Sequence, residues 1–369
     1  MEKSEFRKNA ADMIYLTSCV FNKKKPKQER IDKLDLPKLF EVCQAHIMTA
    51  CVAYALESVG IRDHEFTQAK EKAIRKNILL DAERGKILKI LESEKIWYMP
   101  LKGALLKNWY PGLGMRQMSD NDILCDNTKM KDIRRIFLEQ GYTCDSFGEG
   151  SHDVYQKKPV LNFEMHRYLI NSTHDKKFNE YYSDVKERLV RDKDNDHGYH
   201  FTNEDFYIFM LVHEYKHFSE GGTGVRSLAD TYIFLNKFND SLDWEYIYGE
   251  LEKIGITEFE KNNRELSMKL FSSKPLSADE KKLLNYHVLS GTYGNVANSV
   301  NNNIKNNSGN SKMKYIFYRF FPPLEHYRVW FPWAYEHKIL LPAAWIFRLV
   351  RGVTVRRKRI KAEYIHLTK

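Results

Sequence analysis

The sequence predicts an α+β fold, in which a small mixed β-sheet lies between an N-terminal helical segment and a larger helical C-terminal part. Three observations support this prediction. Apolar residues recur at helical spacing through roughly the first 95 positions, short extended segments occupy positions 96–165, and helical periodicity returns after about residue 170. Hydrophobic residues make up 43% of the 369 positions, which is enough for a sizeable core.

The central region alternates between extended and helical patterns. It is predicted to contain a strand, a helix, a second strand, a second helix and a hairpin, over residues 96–99, 104–110, 121–125, 129–140 and 152–165. In the second arm of the hairpin, Asn162 and Glu164 share one face, and Phe163 and Met165 share the other. Glu164 is therefore expected to point away from the packed layer.

The helical part that follows has clear start and stop signals. Thr202 is a predicted N-cap for a helix that runs through His217, and Gly221 follows its end. Four more helices are predicted at 225–238, 244–254, 258–270 and 279–286. Residues 295–311 are rich in Asn and Ser without apolar periodicity, which indicates a flexible linker. The predicted units are therefore 1–75, 76–170, 171–294, 295–311 and 312–369.

Charge and cysteine content bear on partners and location. The net charge of +10 favours anionic partners, although solvated lysine-rich faces would explain it equally well. The five cysteines contain no CxxC pair, which argues against a disulfide framework and suits a reducing cytoplasm. No N-terminal signal sequence and no apolar stretch of membrane-spanning length is visible, so we predict a cytoplasmic protein without a transmembrane helix.

Three acidic residues in the central region form the strongest candidate site. Asp120 and Asp122 are two positions apart at the start of a predicted strand, so their side chains point to the same side. Carboxylates held in this way suit Mg²⁺, and a third from a neighbouring strand, Glu164, would complete a site for two metal ions. An Asp-x-Asp alone is also compatible with a polar turn.

Three further residues are candidates for gripping a triphosphate. Gly103 follows the first predicted strand, where a turn without a side chain lets backbone N–H groups approach phosphate oxygens. Lys102 and Arg116 would add positive charge at the same place.

These residues together resemble a known family. The run from Leu101 to Leu124 contains Leu-Lys-Gly, Tyr-Pro, an arginine and Asp-x-Asp-Ile-Leu, and Glu164-Met-His166 follows. This pattern is similar to the uncharacterised nucleotidyltransferase family of the polymerase-beta-like superfamily. The chain departs from the wider superfamily in having Gly103-Ala104 at the turn, where Gly-Ser or Gly-Gly is usual, and Asn121 between the aspartates.

The resemblance implies a reaction and a set of residue roles. A nucleoside monophosphate would pass from a nucleoside triphosphate to an acceptor hydroxyl, with two Mg²⁺ ions held by Asp120, Asp122 and Glu164. It also implies substrate contacts for five residues of this sequence: His166, His213, His217, Arg226 and Asp230. The acceptor is left open among a small molecule, a sugar, a protein and RNA.

Two other functions compete with this one. His213-Glu-Tyr-Lys-His217 is a literal H-E-x-x-H, so a zinc hydrolase is an alternative, with Glu245 or Asp230 as a third ligand. The same residues would also suit a polar packing cluster, with Arg226 and Asp230 as an ion pair on a helix surface. A catalytically silent nucleotide- or partner-binding module is the second alternative.

The last predicted segment, residues 312–369, is aromatic and basic. Trp330, Trp333 and Trp345 occur among seven arginines and several lysines. This composition indicates peripheral contact with an anionic surface, or else a final helical layer with a basic tail.

Overall fold

The computed structural model describes residues 1–148, 150–170 and 176–368. The predicted boundary between residues 170 and 171 adjoins the undescribed stretch, and the division into five units remains a prediction. The α+β class is confirmed, since many helices surround one small sheet.

The N-terminal part is helical, as predicted. It contains α1 to α5, which span Lys3–Phe21, Gln28–Ile31, Leu36–His46, Thr49–Glu57 and His64–Ser93. Aspartates begin two of these helices: Asp35 accepts from the backbone N–H of Lys38 at 3.2 Å, and Asp63 from that of Phe66 at 3.1 Å. Both caps satisfy backbone donors that the first turn of a helix leaves free.

The central region contains the sheet and two helices. Its strands β1 to β5 span Tyr98–Pro100, Asn121–Cys125, Thr143–Ser146, His152–Lys157 and Leu161–His166, with α6 at Lys102–Leu106 and α7 at Met130–Glu139. The spatial order is β1-β2-β5-β4-β3, and only β2 and β5 are parallel. The strand β3 lies at the edge without alternating apolar residues, which explains why the sequence pattern did not predict it.

The two faces of the sheet have different neighbours. On one face Ile123, Phe163 and Met165 are buried with α5 and α7, and Phe137 stacks on Tyr155 with ring centroids 4.3 Å apart. This packing fixes which residues point inward, because neighbouring side chains of a strand alternate. The opposite face is left for Asp122, Glu164 and their neighbours.

The C-terminal part begins with α8 at Lys176–Tyr181 and a short pair of strands, β6 at Val190–Arg191 and β7 at Tyr199–His200. It continues with α9 to α14, which span Asn203–Glu220, Val225–Phe238, Trp244–Ile254, Thr257–Phe271, Ala278–Ser290 and Val296–Asn307. The predicted N-cap is confirmed, since Thr202 accepts from the backbone N–H of Asp205 at 3.1 Å. Residues of α1, α3 and α4 share one hydrophobic core with α10, α12 and α13.

The prediction of a linker without a helix at 295–311 is wrong. The segment forms α14, which Asn295 caps by accepting from the backbone N–H of Asn298 at 2.8 Å. Asn302 donates to the carbonyl of Phe218 at 3.1 Å, and Val300 is buried. Tertiary contacts with α9 therefore stabilise a helix that local propensity does not predict.

The chain ends in α15 to α19, which span Lys312–Phe320, Leu324–Trp330, Pro332–Glu336, Leu341–Val355 and Arg357–Thr368. Throughout the described ranges, every helix is too short or too polar to cross a bilayer.

Candidate functional site

Two of the predicted metal-binding carboxylates are direct neighbours in the sheet. The parallel register of β2 and β5 pairs Asp122 with Glu164. Ile123, which follows Asp122, and Phe163, which precedes Glu164, are fully buried on the packed face. Both carboxylates therefore project from the other face. Asp120 lies just before β2. Burial, and then the negative charge of Asp122, raises the pKa of Asp120. All three predicted carboxylates therefore lie within electrostatic reach of one another.

Two histidines lie among these carboxylates. The Nε2 atom of His166 is 3.2 Å from Oδ1 of Asp122 and 3.9 Å from Oε2 of Glu164. The Nε2 atom of His152 is 3.4 Å from the same oxygen of Glu164. We call Asp120, Asp122, His152, Glu164 and His166 the carboxylate–histidine cluster.

The cluster contains the best-grouped donor atoms for a cation. Among the residues that the structure describes, one set of at least three His, Cys, Asp or Glu side chains has donor atoms all within 4.8 Å of one another: His152, Glu164 and His166. His152 was not singled out in the sequence. The hairpin register would have indicated it, because β4 and β5 place His152 directly opposite His166.

The carboxyl groups of the cluster differ in acidity. Burial, and then the charges of Asp122 and Asp120, raise the pKa of Glu164 to about 7. For Asp122 burial is again the largest influence and would raise the pKa, but the hydrogen bond and charge of His166, together with the charges of His152 and Lys102, leave the pKa lowered. Burial, and then the neighbouring His166, lower the pKa of His152 to about 4. Near neutral pH, Asp122 is therefore ionised, His152 is neutral, and Glu164 exchanges its proton readily.

The helix α9 carries a positive charge towards this face of the sheet. Lys216 is half-buried, and its charge acts on both His152 and Glu164. Burial lowers the pKa of Lys216, while Glu220 and Glu164 oppose that change. The sequence pattern did not single out Lys216, since it is one lysine of many.

Arg116 lies in a buried ion pair rather than free beside the cluster. Its Nε and Nη2 atoms donate to the two carboxylate oxygens of Asp230 at 2.8 and 3.0 Å. Tyr110 donates to the same carboxylate at 2.7 Å. Both charged side chains are 5% exposed. This bidentate pair joins the segment before β2 to α10, so Arg116 and Asp230 hold the walls of the site together.

The spacing of Arg226 and Asp230 suggested an ion pair on a helix surface. These two residues do not form that pair, so the suggestion is wrong. Asp230 is buried and already paired with Arg116. Arg226 is half-buried and makes no hydrogen bond or ion pair with any residue in the described ranges. Its charge nevertheless acts on Asp120 and on Lys102, so a guanidinium without an ion-pair partner among the described residues lies within electrostatic reach of the carboxylates.

Lys102 lies within electrostatic reach of Asp230 and of two arginines, Arg116 and Arg226. Its Nζ atom is 3.0 Å from Nδ1 of His213 on α9. Burial lowers the pKa of Lys102 to about 8; the charge of Asp230 opposes this, and that of Arg116 adds to it. Lys102 and Arg226 therefore give this side of the site a positive potential suited to phosphate oxygens.

Gly103 lies in the first turn of α6 and is buried. A Cβ atom at this position would be 2.9 Å from Cε of Met118 and 3.2 Å from Nη1 of Arg116. The missing side chain thus makes room for Arg116 on its way to Asp230. This is a packing reason for glycine, beside the phosphate contact that the sequence suggested.

The H-E-x-x-H residues do not gather a zinc site among the residues described. His213 and His217 are neighbours, with ring centroids 4.7 Å apart, but His213 contacts Lys102. Glu214 is buried on the far side of α9, where Asn263 donates to it at 3.1 Å. Asp230, one proposed third ligand, is paired with Arg116. The geometry here favours a polar contact between α9 and the site over a catalytic zinc.

Comparisons with known proteins gave one match. The model of a family described as uncharacterised nucleotidyltransferase matches residues 32–272, a range that includes every site residue discussed above. No curated protein and no solved structure matched significantly.

Proposed function

This chain belongs to the uncharacterised nucleotidyltransferase family, and on that premise we propose that it transfers a nucleoside monophosphate from a nucleoside triphosphate to an acceptor hydroxyl. The observation that carries this proposal is the pairing of Asp122 with Glu164 on neighbouring parallel strands, with Asp120 beside them. Family membership supports a nucleotidyl transfer in general. The metal dependence, the residue roles and the acceptor class are our inferences.

The donor set of the cluster fits a hard divalent cation. Asp120, Asp122 and Glu164 offer carboxylate oxygens, which Mg²⁺ prefers. Burial, and then the mutual repulsion of these groups, raises the pKa of Asp120 and of Glu164. A bound cation would relieve that repulsion. Mg²⁺ would supply charge neutralisation for the triphosphate and the departing pyrophosphate. We propose two ions held by these three residues.

The histidines of the cluster are proposed to orient the carboxylates. When its Nε2 carries the proton, His166 donates to Asp122 and fixes the direction of the free carboxylate oxygen. The Nε2 atom of His152 lies 3.4 Å from Oε2 of Glu164 and is proposed to limit the directions in which that carboxylate can point. Should the imidazoles bind metal directly, the site would favour a borderline cation such as Mn²⁺ or Zn²⁺ over Mg²⁺.

The reaction requires a base and a grip on the triphosphate. The acceptor oxygen forms a bond to the α-phosphorus, the bond from that phosphorus to the bridging oxygen breaks, and pyrophosphate leaves. We propose that Glu164 or Asp122, the two paired carboxylates, receives the acceptor proton. We assign the phosphate contacts to Arg226 and Lys102, with the backbone around Gly103, and give Arg116 the task of positioning Asp230.

The acceptor stays open among a sugar, a small molecule, a protein and RNA. The test is to incubate purified protein with each of four α-labelled nucleoside triphosphates, Mg²⁺ and cell extract, and to trace the labelled product. Label transfer by the wild type and not by Asp122→Asn would support the proposal. We also propose a cytoplasmic location, because the proposed donor is a nucleoside triphosphate. Binding of nucleotide without transfer to any acceptor would favour a silent binding module instead.

A further inference from the structure

The positive charge of this protein is concentrated at one end of the chain. Residues 312–369 contain 13 Lys and Arg and three Glu, whereas residues 1–311 contain 46 basic and 46 acidic residues. The whole net charge of +10 therefore belongs to the final segment, which lies outside the family match at 32–272. Lysine-rich faces spread along the chain do not explain the charge.

The same segment exposes large apolar side chains. Ile339 is 89% exposed, Phe317 66% and Val353 64%. Met313, Phe320, Phe321, Trp330, Trp333, Ile346, Phe347, Val350, Val355 and Tyr364 are also exposed. Isolated apolar residues on a surface are ordinary, but such a concentration in one segment marks a surface that meets an apolar partner.

The exposed residues follow the helix period. On α15, Met313, Phe317 and Phe320 recur at spacings of three and four. On α18, Ile346, Val350 and Val353 do the same, and Ile339 lies seven residues before Ile346, in the short turn that precedes α18. Each helix therefore presents a continuous apolar stripe to the outside.

The two helices are held together by specific contacts. Trp345 of α18 donates to the carbonyl of Phe320 at 2.8 Å, and its ring stacks on Phe321 with centroids 5.7 Å apart. Arg348 donates to the carbonyl of Arg319 at 2.6 Å. An apolar cleft of about 540 Å³ along α15 is lined by Met313, Phe317 and Phe321, among others. The stripes thus belong to one assembled surface, which we call the basic aromatic surface (α15 to α19).

We propose that the basic aromatic surface docks on a lipid bilayer that contains anionic lipids. Exposed aliphatic and aromatic side chains can enter the boundary between headgroups and acyl chains, while arginines and lysines reach the lipid phosphates. Trp330 and Trp333 suit the same boundary. Since no described helix can span a bilayer, the contact is peripheral.

Charge and side-chain type favour a bilayer over other occupants. A second copy of this surface would bring two strongly positive segments together, which is repulsive. Single-stranded nucleic acid would use the positive charge and the aromatic rings, but Ile339, Val350 and Val353 offer it neither stacking nor hydrogen bonds. Anionic lipid satisfies both the charge and the aliphatic side chains.

The test is co-sedimentation of the full chain with vesicles of phosphatidylcholine alone or with about 30% phosphatidylglycerol. Since several basic residues would each be attracted to an anionic surface, we expect at least about tenfold tighter binding to the anionic vesicles, weakening as salt rises. Equal binding to both vesicle types, or none to either, would overturn the proposal. So would tight binding of a single-stranded RNA probe that vesicles do not displace.

Matched variants separate this surface from general charge. Arg356, Arg357 and Lys358 are consecutive exposed cations of the segment, and Lys23, Lys24 and Lys25 are three exposed cations elsewhere. Changing the first set to Gln should weaken vesicle binding at least about tenfold, whereas changing the second should leave it unchanged. Ile339→Ser with Val353→Ser should weaken it as well, and unchanged binding in that pair would contradict docking through the apolar stripes. Unaltered circular dichroism spectra would show that the variants remain folded.

Discussion

The Nε2 atom of His166 lies 3.2 Å from Oδ1 of Asp122, on the strand next to it in the sheet. This contact links a carboxylate proposed to hold Mg²⁺ with the group that orients it. The Glu-x-His spacing on β5 places Glu164 and His166 on one face, so one strand supplies both a carboxylate and a support for its neighbour.

Replacing Asp122 by Asn should abolish transfer and preserve the fold. The amide cannot neutralise a divalent cation as the carboxylate does, so we expect pyrophosphate release to fall at least about 100-fold. The melting temperature should fall only modestly, because the lowered pKa of Asp122 means that its ionised form contributes some stability through His166 and its other neighbours. Release at the wild-type rate by this variant, or by Asp120→Asn, would end the mechanism proposed here.

His166→Ala should raise the Mg²⁺ concentration that half-maximal turnover requires. Loss of a group that orients a metal-binding carboxylate typically weakens metal affinity about 10- to 100-fold. His200 is a suitable control, since it also contacts a carboxylate, Asp192, but lies on β7 outside the site. An equal effect of His200→Ala would point to a general change in the protein. A titration with Mn²⁺ tests whether the imidazoles bind metal directly. Direct binding predicts that Mn²⁺ binds the wild type far more tightly than Mg²⁺ does, and that this preference is lost when His152 and His166 are replaced.

Arg226→Gln should raise the KM for nucleoside triphosphate by about tenfold, because a charge-assisted hydrogen bond to phosphate contributes roughly 1.5 to 3 kcal/mol. The effect on the melting temperature should be small, since Arg226 has no ion pair among the residues described. Lys237→Gln removes an exposed cation from the same helix and should leave KM unchanged. An unchanged KM in the Arg226 variant would remove that residue from the phosphate site.

The ion pair of Arg116 and Asp230 predicts a large effect on stability. Asp230→Asn would leave a buried guanidinium without its counter-charge, at a cost of about 3 to 5 kcal/mol. Urea denaturation of this variant, of Arg116→Met and of the double variant measures the coupling between the two residues. Additive single effects would mean that the pair does not act as a unit.

The buried carboxyl group of Glu214 should make the stability of the protein depend on pH. Burial raises its pKa from an ordinary 4.5 to about 7 in the folded protein, so the folded state holds the proton more tightly than the unfolded state. The stabilisation of the folded protein by protonated Glu214 is therefore fully present below pH 4.5 and is lost as the pH rises to about 7. Relative to Glu214→Gln, the free energy of unfolding of the wild type should fall by up to roughly 3 kcal/mol across this pH range. Urea denaturation at several pH values measures the difference, and a constant difference between pH 4 and pH 8 would contradict the assignment.

Local patterns predicted much of the central region. The strand at 121–125, the hairpin before and after Pro159 and the alternation that turns Glu164 away from Phe163 all depend on neighbours in sequence, and the structure contains them. The Asn-rich segment at 295–311 had no local signal for a helix, and its helix depends on contacts that Asn302 makes with a distant part of the chain.

The sequence by itself determined the fold class, the family and the three acidic candidates, because strand alternation and motif spacing are local properties of the chain. Only the tertiary structure decided that Arg116 pairs with Asp230 and that Arg226 has no ion pair among the described residues. The reason is physical: a buried charge takes whichever partner the packing of separate elements brings within hydrogen-bond distance, and positions 116 and 230 meet only after the chain has folded.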